Sequence, residues 1–332
     1  MSDAAYTRPE FSNEIEKEQR LTLIQREAAA LVPSETRVAV ASAERGYYDL
    51  PLVKEPTWTW EIPLYFFVGG AAGTASVIAG MAKLTGASPK LVRDARRISM
   101  AGAILSPVFL ISDLGRPERF LAMLRVFKPQ SPMSVGVYVL VAFSGGTTAA
   151  NLGAWMRARS MFPEWALLLE RIGDVAALLF GLPLATYTGV LIGATAIPAW
   201  NCNASLLPAH FLVSGLGASV GMLELAGNST PALQWLGLGA AVSETAVGAR
   251  IERETNPSEA PLKRGSSGWL IRAGGVLSGP VPLVLRTVSM FMKPKRAMKL
   301  RKYAALSAVI GSAITRVAWV QAGHASAQQS RP

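Results

Sequence analysis

Cysteine and histidine are nearly missing from this chain: Cys202 is the single cysteine, and His210 and His324 are the only histidines in 332 residues. One thiol excludes an internal disulfide and leaves no thiolate set for an iron–sulfur cluster or a structural zinc site. The two imidazoles, one heading a hydrophobic stretch and one in a polar tail, are poorly placed to clamp a haem. No haem and no iron–sulfur cluster is therefore expected in this chain. Charge is also scarce, at 17% against about 25% for a soluble domain. There is no serine elbow and no HExxH, which removes the usual hydrolases. The glycines at 69–73 follow no strand, so they are not a phosphate loop.

What the chain has in quantity is apolar residues, 50% of the total, with mean hydropathy +0.29. This composition reads as a polytopic helical membrane protein. Basic residues outnumber acidic ones, 33 to 22, for a net charge of +11. They cluster beside hydrophobic segments, so positive-inside anchoring explains them better than nucleic-acid binding.

The polar arm 1–57 contains an amphipathic helix candidate over 9–32, with Leu21, Ile24, Ala28 and Leu31 as its apolar stripe. It is either a solvated tail or an arm that clasps a partner. A transmembrane domain follows over 58–323, then a polar tail, 324–332. Uncharged residues 62–82 form the first span, 98–112 a shorter second one containing Pro107, and 132–156 the third. Residues 175–223 must hold two spans, broken near 198–203, and 231–249 a sixth with Glu244 inside. Two weaker candidates, 270–292 and 303–323, are interrupted by Arg286 and Arg316. The expected fold is all-α, with about eight transmembrane helices in two four-helix bundles.

Lys83, Lys90, Arg93, Arg96, Arg97, Arg157 and Arg159 fall on one side of such a bundle, with Lys293, Lys295, Arg296, Lys299, Arg301 and Lys302. That side is expected to be cytoplasmic. Both termini and the loop 113–134 then face outward. The loop carries Asp113, Arg116, Glu118, Arg119, Arg125 and Lys128 around apolar residues at helical spacing: Phe120, Met123, Leu124 and Phe127. This pattern predicts a structured docking element.

Four stretches resemble the NrfD/polysulfide-reductase family of membrane anchor subunits. They are WEIPLYFFVGG (60–70); DLGRPERF (113–120) running on to SPMS (131–134); YTGVLI (187–192) with IPAWN (197–201); and LPAHFLVS (207–214). The last third of the chain matches only in character. The resemblance implies a haem-free, quinone-reactive integral subunit of the bacterial cytoplasmic membrane, not itself the catalytic core. It implies a ferredoxin-like iron–sulfur partner and a catalytic oxidoreductase subunit, of the molybdoenzyme type or as in alternative complex III. The cofactor would be menaquinone or ubiquinone.

Candidate residues follow from spacing and from that resemblance. Glu61, Tyr65, Gly69 and Gly73 recur every four residues on one helix face. The glycines permit close helix approach, and Glu61 is placed to exchange protons with a bound headgroup. Ser99, Ser106 and Asp113 recur every seven; the serines either relay protons or bond the preceding turn. Asp113 by its neighbours is an interfacial pair with Arg116, and the resemblance makes it site-lining. Tyr187 and Thr188 lie between Pro183 and Gly189. Tyr187 is either an ordinary buried tyrosine or, as the resemblance implies, the first quinone contact. His210 heads the stripe His210, Ser214, Gly217, Gly221, Glu224 and joins the quinone set. Asp174, Glu224 and Glu244 are intramembrane carboxylates and form a proton route with Ser99 and Ser106. Alternatively, Glu224 is interfacial and Glu244 pairs with an arginine such as Arg250 or Arg286. Arg116, Arg119, Phe120 and Arg125 are assigned to partner docking. Two other classes stay open: a transporter, and an anchor with no quinone site.

Overall fold

The computed structural model describes residues 53–116 and 118–329; the amphipathic candidate at 9–32 and nearly all of the N-terminal arm lie outside them. Among the described residues the chain is helical without a strand. In order it forms α1 (Glu61–Leu84), α2 (Pro89–Asp113), a short α3 (Glu118–Met123), α4 (Pro132–Ala158) and α5 (Pro163–Gly193). These are followed by α6 (Pro198–Asn201), α7 (Leu207–Leu225), α8 (Pro231–Arg253), α9 (Ala260–Lys263), α10 (Gly265–Ser278), α11 (Pro280–Met290) and α12 (Pro294–Gln329).

Local chemistry sets the ends. Ser88, Ser131 and Thr230 cap α2, α4 and α8 by accepting from Lys90 N, Ser134 N and Leu233 N, each with a proline in the first turn. These caps lie outside the apolar runs, so helices exceed the hydropathy signal. Helix α2 starts nine residues before the expected 98 and passes through Pro107 unbroken. Helix α5 starts at Pro163 rather than near 175, behind Phe162 in a left-handed conformation (φ 44°). Helix α12 runs on to Gln329, past the expected end at 323.

Among the described residues six stretches are long and apolar enough to cross a membrane: α1, α2, α4, α5, the α10–α11 pair (Gly265–Met290) and α12. The two segments read as weakest from sequence are among them. Helices α7 and α8, of 19 and 23 residues, run between them and bury His210, Glu224, Gln234 and Glu244, which dilutes their hydropathy. The seventh segment is two helices rather than one, broken at Gly279–Pro280. A Cβ on Gly279 would lie 2.8 Å from the Thr245 backbone nitrogen of α8, so the break lets the two backbones touch.

The eight long rods form two four-helix bundles. In the first, Ser99 Oγ bonds Ala72 O, joining α2 to α1, and Ser144 Oγ donates to Ala103 O at 3.2 Å, joining α4 to α2. Gly173 lies 2.2 Å, measured from its would-be Cβ, from Ala150 N, joining α5 to α4; Gly73 in the same way lies 2.4 Å from Gly181 O, joining α1 to α5. In the second, α7 meets α12 through Ser214 and Ser312, α12 meets α10 at Gly311 and Ser278, and α8 meets α11 at Gly237 and Arg286. The seam between bundles is α1 on α7, where Thr74 Oγ1 lies 3.0 Å from Gly215 O and a Cβ on Gly215 would lie 2.8 Å from Gly70 O. Small residues make every one of these approaches possible. In an apolar solvent, packing of this kind holds helices together where a hydrophobic effect cannot.

The connections define two ends. At the Glu61 end lie the 114–131 loop, the α5–α7 link and the α8–α10 link. At the Lys83 end lie the short turns after α1, α4, α7 and α11.

Candidate functional site

All four helices of the first bundle contribute to one buried spot near the Glu61 end. Tyr65 (α1) is 1% exposed, Ser106 (α2) fully buried and Tyr187 (α5) 8% exposed. Gly136 of α4 receives the hydroxyl-bearing end of the Tyr187 ring: a Cβ there would lie 1.7 Å from Tyr187 Cζ. A Cβ on Gly69 would lie 3.5 Å from Ser106 Oγ and 3.8 Å from the Tyr65 ring. Ile62, Phe66, Leu140, Phe143 and Leu184 share the same apolar cluster. Ser106 Oγ and Thr188 Oγ1 are buried without a hydrogen-bond partner among the described residues. Buried hydroxyls are normally satisfied, so these two are spare donors inside the first bundle.

Two carboxylates lie beyond this cluster, at the Glu61 end. Thr59 donates through Oγ1 to Glu61 Oε2, and its backbone N–H reaches Asp113 Oδ1 at 3.5 Å. Asp113 is thus held by Thr59 rather than by Arg116, and Glu61 and Asp113, 52 positions apart in sequence, become neighbours. Trp60 packs edge-on against Phe109 at 6.2 Å above them.

An aromatic wall leads from this cluster to the second bundle. Tyr65–Phe66, Phe66–Phe211, His210–Phe211 and His210–Trp319 follow one another with ring centroids 5.7 to 6.1 Å apart. At its far side His210 Nδ1 faces Glu244 Oε1 at 3.5 Å, both buried. The other carboxylate oxygen of Glu244 accepts from Ser278 Oγ at 2.8 Å, at the α10–α11 break. Arg316 is fully buried, donates to Phe211 O at 2.6 Å and lies 3.7 Å over the Phe211 ring. Its Nε and Nη1 have no partner among the described residues. A Cβ on Gly70 would lie 3.4 Å from Arg316 Nη2.

The other proposed proton carriers sit in separate groups. Glu224 takes a bidentate pair from Arg286, at 2.8 and 2.7 Å, and Gly237 makes room for that guanidinium. The arginine thus pairs with Glu224, whereas Glu244 meets a histidine. Asp174 lies at the Lys83 end with Lys83 (2.6 Å) and Arg96, beside Glu170. Ser99 Oγ is within reach of Ala95 O and Ala72 O, the local backbone bonding weighed above. Sequence reasoning missed Arg316 and Ser278 as members of the Glu244 group. An arginine inside an apolar run was the available signal.

At the Glu61 end, Arg116, Arg119 and Arg125 are exposed and Phe120 is half-buried. The expected helix stops at Met123, and the rest of the loop is held by Tyr138 donating to Leu124 O at 2.8 Å, with Phe127 packed edge-on to Tyr138. Phe127 therefore leaves the helical stripe; it, Leu121 and Val126 are all more than half exposed. Nearby, partial desolvation and then Glu259 raise the Cys202 thiol above its ordinary range.

Residues 52–228 match the family profile described as "Polysulphide reductase, NrfD". The C subunit of the polysulfide reductase of Wolinella succinogenes is 26% identical over 180 residues, covering 49% of the present sequence and 56% of that protein. The present sequence thus spans little more than half the length of this relative.

Proposed function

Because the chain belongs to the NrfD polysulphide reductase family, we propose that it is the quinone-reactive membrane anchor of a multi-subunit oxidoreductase. The observation that carries this reading is the buried cluster of Tyr65, Ser106 and Tyr187 around Gly69 and Gly136. It is surrounded by aromatic and aliphatic side chains, and the Ser106 hydroxyl in it has no hydrogen-bond partner among the described residues. A quinone ring needs a flat apolar surface and donors for its carbonyl oxygens, and these residues fit it. When bound, the quinone supplies two-electron, two-proton redox chemistry.

The protein's own residues then have distinct tasks. Tyr187 and Ser106 donate hydrogen bonds that orient the ring, and the surrounding aromatics exclude water. Glu61 and Asp113, coupled through Thr59, hold and release protons at the Glu61 end. His210 and Glu244 form a second protonatable pair, with Arg316 close enough to interact electrostatically with the carboxylate; coupling to charge movement would pass there. Arg116, Arg119, Phe120 and Arg125 dock an iron–sulfur subunit, which delivers or removes electrons for a catalytic partner. The setting is a bacterial cytoplasmic membrane, with the Lys83 end inside.

The test is purification of the intact complex with Tyr187→Phe and Glu61→Gln variants. The expected result is a retained partner set with quinone-linked electron transfer reduced at least tenfold by Tyr187→Phe. Full electron transfer in both variants would remove the proposed site. A stable, partner-free protein that moves a solute would support a transporter instead, a class in which broken helices such as α10–α11 are common.

A further inference from the structure

We propose that the Lys83 end holds a built site for the headgroup of an anionic phospholipid. A cavity of about 450 Å³ opens there between α1, α2, α4 and α5, lined by Lys83, Arg93, Arg96, Arg97, Arg157 and Glu170, with Ala87, Val92 and Ala154 as apolar surface. Its charges are layered. The carboxylates lie behind: Glu170, Asp174 and Asp94 are 1%, 16% and 11% exposed at the side chain, and each is already paired with a cation. The outward rim carries only cations, with Arg97 and Arg157 71% and 55% exposed at the side chain and Arg93 exposed beside them. With Lys90, which also pairs with Asp94 at 2.8 Å, six cations face these three carboxylates, so three positive charges are left uncompensated.

The level of the cavity identifies the ligand chemistry. Trp155 at the end of α4 and Trp165 at the start of α5 are 46% and 70% exposed, with Arg159 4.1 Å over the Trp155 ring. Exposed tryptophans at helix ends mark the headgroup layer of a bilayer. A concave, net-positive site at that depth, with an apolar strip continuing along the helices, suits a phosphodiester whose acyl chains stay in the lipid. Arginine forks are the favoured partners of such a phosphate. The exposed Lys299 and Lys302 of α12 at the same end form no ion pair with a buried carboxylate among the described residues, so they stand for a merely solvated basic face.

The experiment uses the full chain in detergent, titrated with phosphatidylglycerol, phosphatidylcholine or inorganic phosphate and read by thermal unfolding and native mass spectrometry. Phosphatidylglycerol is expected to raise the midpoint by about 3 °C or more at saturation and to be retained in the gas phase. Phosphatidylcholine and phosphate alone should do neither. Arg93→Gln with Arg97→Gln should weaken phosphatidylglycerol binding on the order of tenfold, whereas Lys299→Gln with Lys302→Gln should leave it within about twofold. Equal shifts with both lipids, an equal effect of free phosphate, or equal behaviour of the two double variants would overturn the proposal.

Discussion

Tyr187 and Gly136 show what a single contact specifies. The glycine has no side chain because the tyrosine's hydroxyl end occupies that space, so Gly136→Ala must displace the ring. The expected outcome is loss of quinone-linked turnover comparable to Tyr187→Phe, with the complex still assembled. The buried ion pair behaves differently. Removing one partner, as in Glu224→Gln, leaves Arg286 uncompensated in a low-dielectric core and should cost about 3–5 kcal/mol. Replacing both, Glu224→Leu with Arg286→Met, should recover most of it; equilibrium unfolding in mixed micelles measures the difference. Neither contact was legible in the sequence. Tyr187 and Gly136 are 51 positions apart and Glu224 and Arg286 are 62 apart, and spacing on one helix cannot assign a partner on another. What the sequence does show is that Glu224, Glu244, Arg286 and Arg316 are charges inside apolar runs.

At the scale of elements, hydropathy located the spans but misjudged their ends and their ranking. Window averages follow side-chain polarity, whereas helices start at caps: Ser88 and Pro89 begin α2 within a basic segment, ahead of the apolar run. The same averaging undervalued α10–α11 and α12, whose arginines are buried against α7 and α8. The Gly69–Gly73 face was legible as a close-approach surface, and Gly73 does meet α5 at Gly181. A leucine at Gly181 should therefore separate α1 from α5 and destabilise the first bundle by about 1–3 kcal/mol or more. The 113–134 loop was legible as a structured element, though only its first part is helical. Reversing the charge of Arg116, Arg119 and Arg125 should abolish co-purification of the proposed iron–sulfur subunit without changing the unfolding midpoint of the chain. An unchanged partner yield would show that docking lies elsewhere.

For the whole molecule, two bundles joined at a glycine-lined seam place the proposed quinone site in one and the buried His210–Glu244 pair in the other, with an aromatic wall between them. The single cysteine gives a direct reading of orientation. Cys202 is exposed at the Glu61 end, and partial desolvation of its sulfur, followed by Glu259, raises the thiol above its ordinary range. A membrane-impermeant maleimide should label it from the outer side, slowly at neutral pH and faster as pH rises; labelling only after the inner side is opened would invert the assignment. The central claim, however, is the proposed quinone site itself. A photoreactive quinone analogue, cross-linked to the intact complex and mapped by peptide mass spectrometry, tests it most directly. Adducts on the α2, α4 and α5 peptides that carry Ser106, Gly136 and Tyr187, competed away by unlabelled quinone, are the predicted result. Competed adducts confined to other helices, such as the apolar groove between Met81 and Trp235, would contradict it.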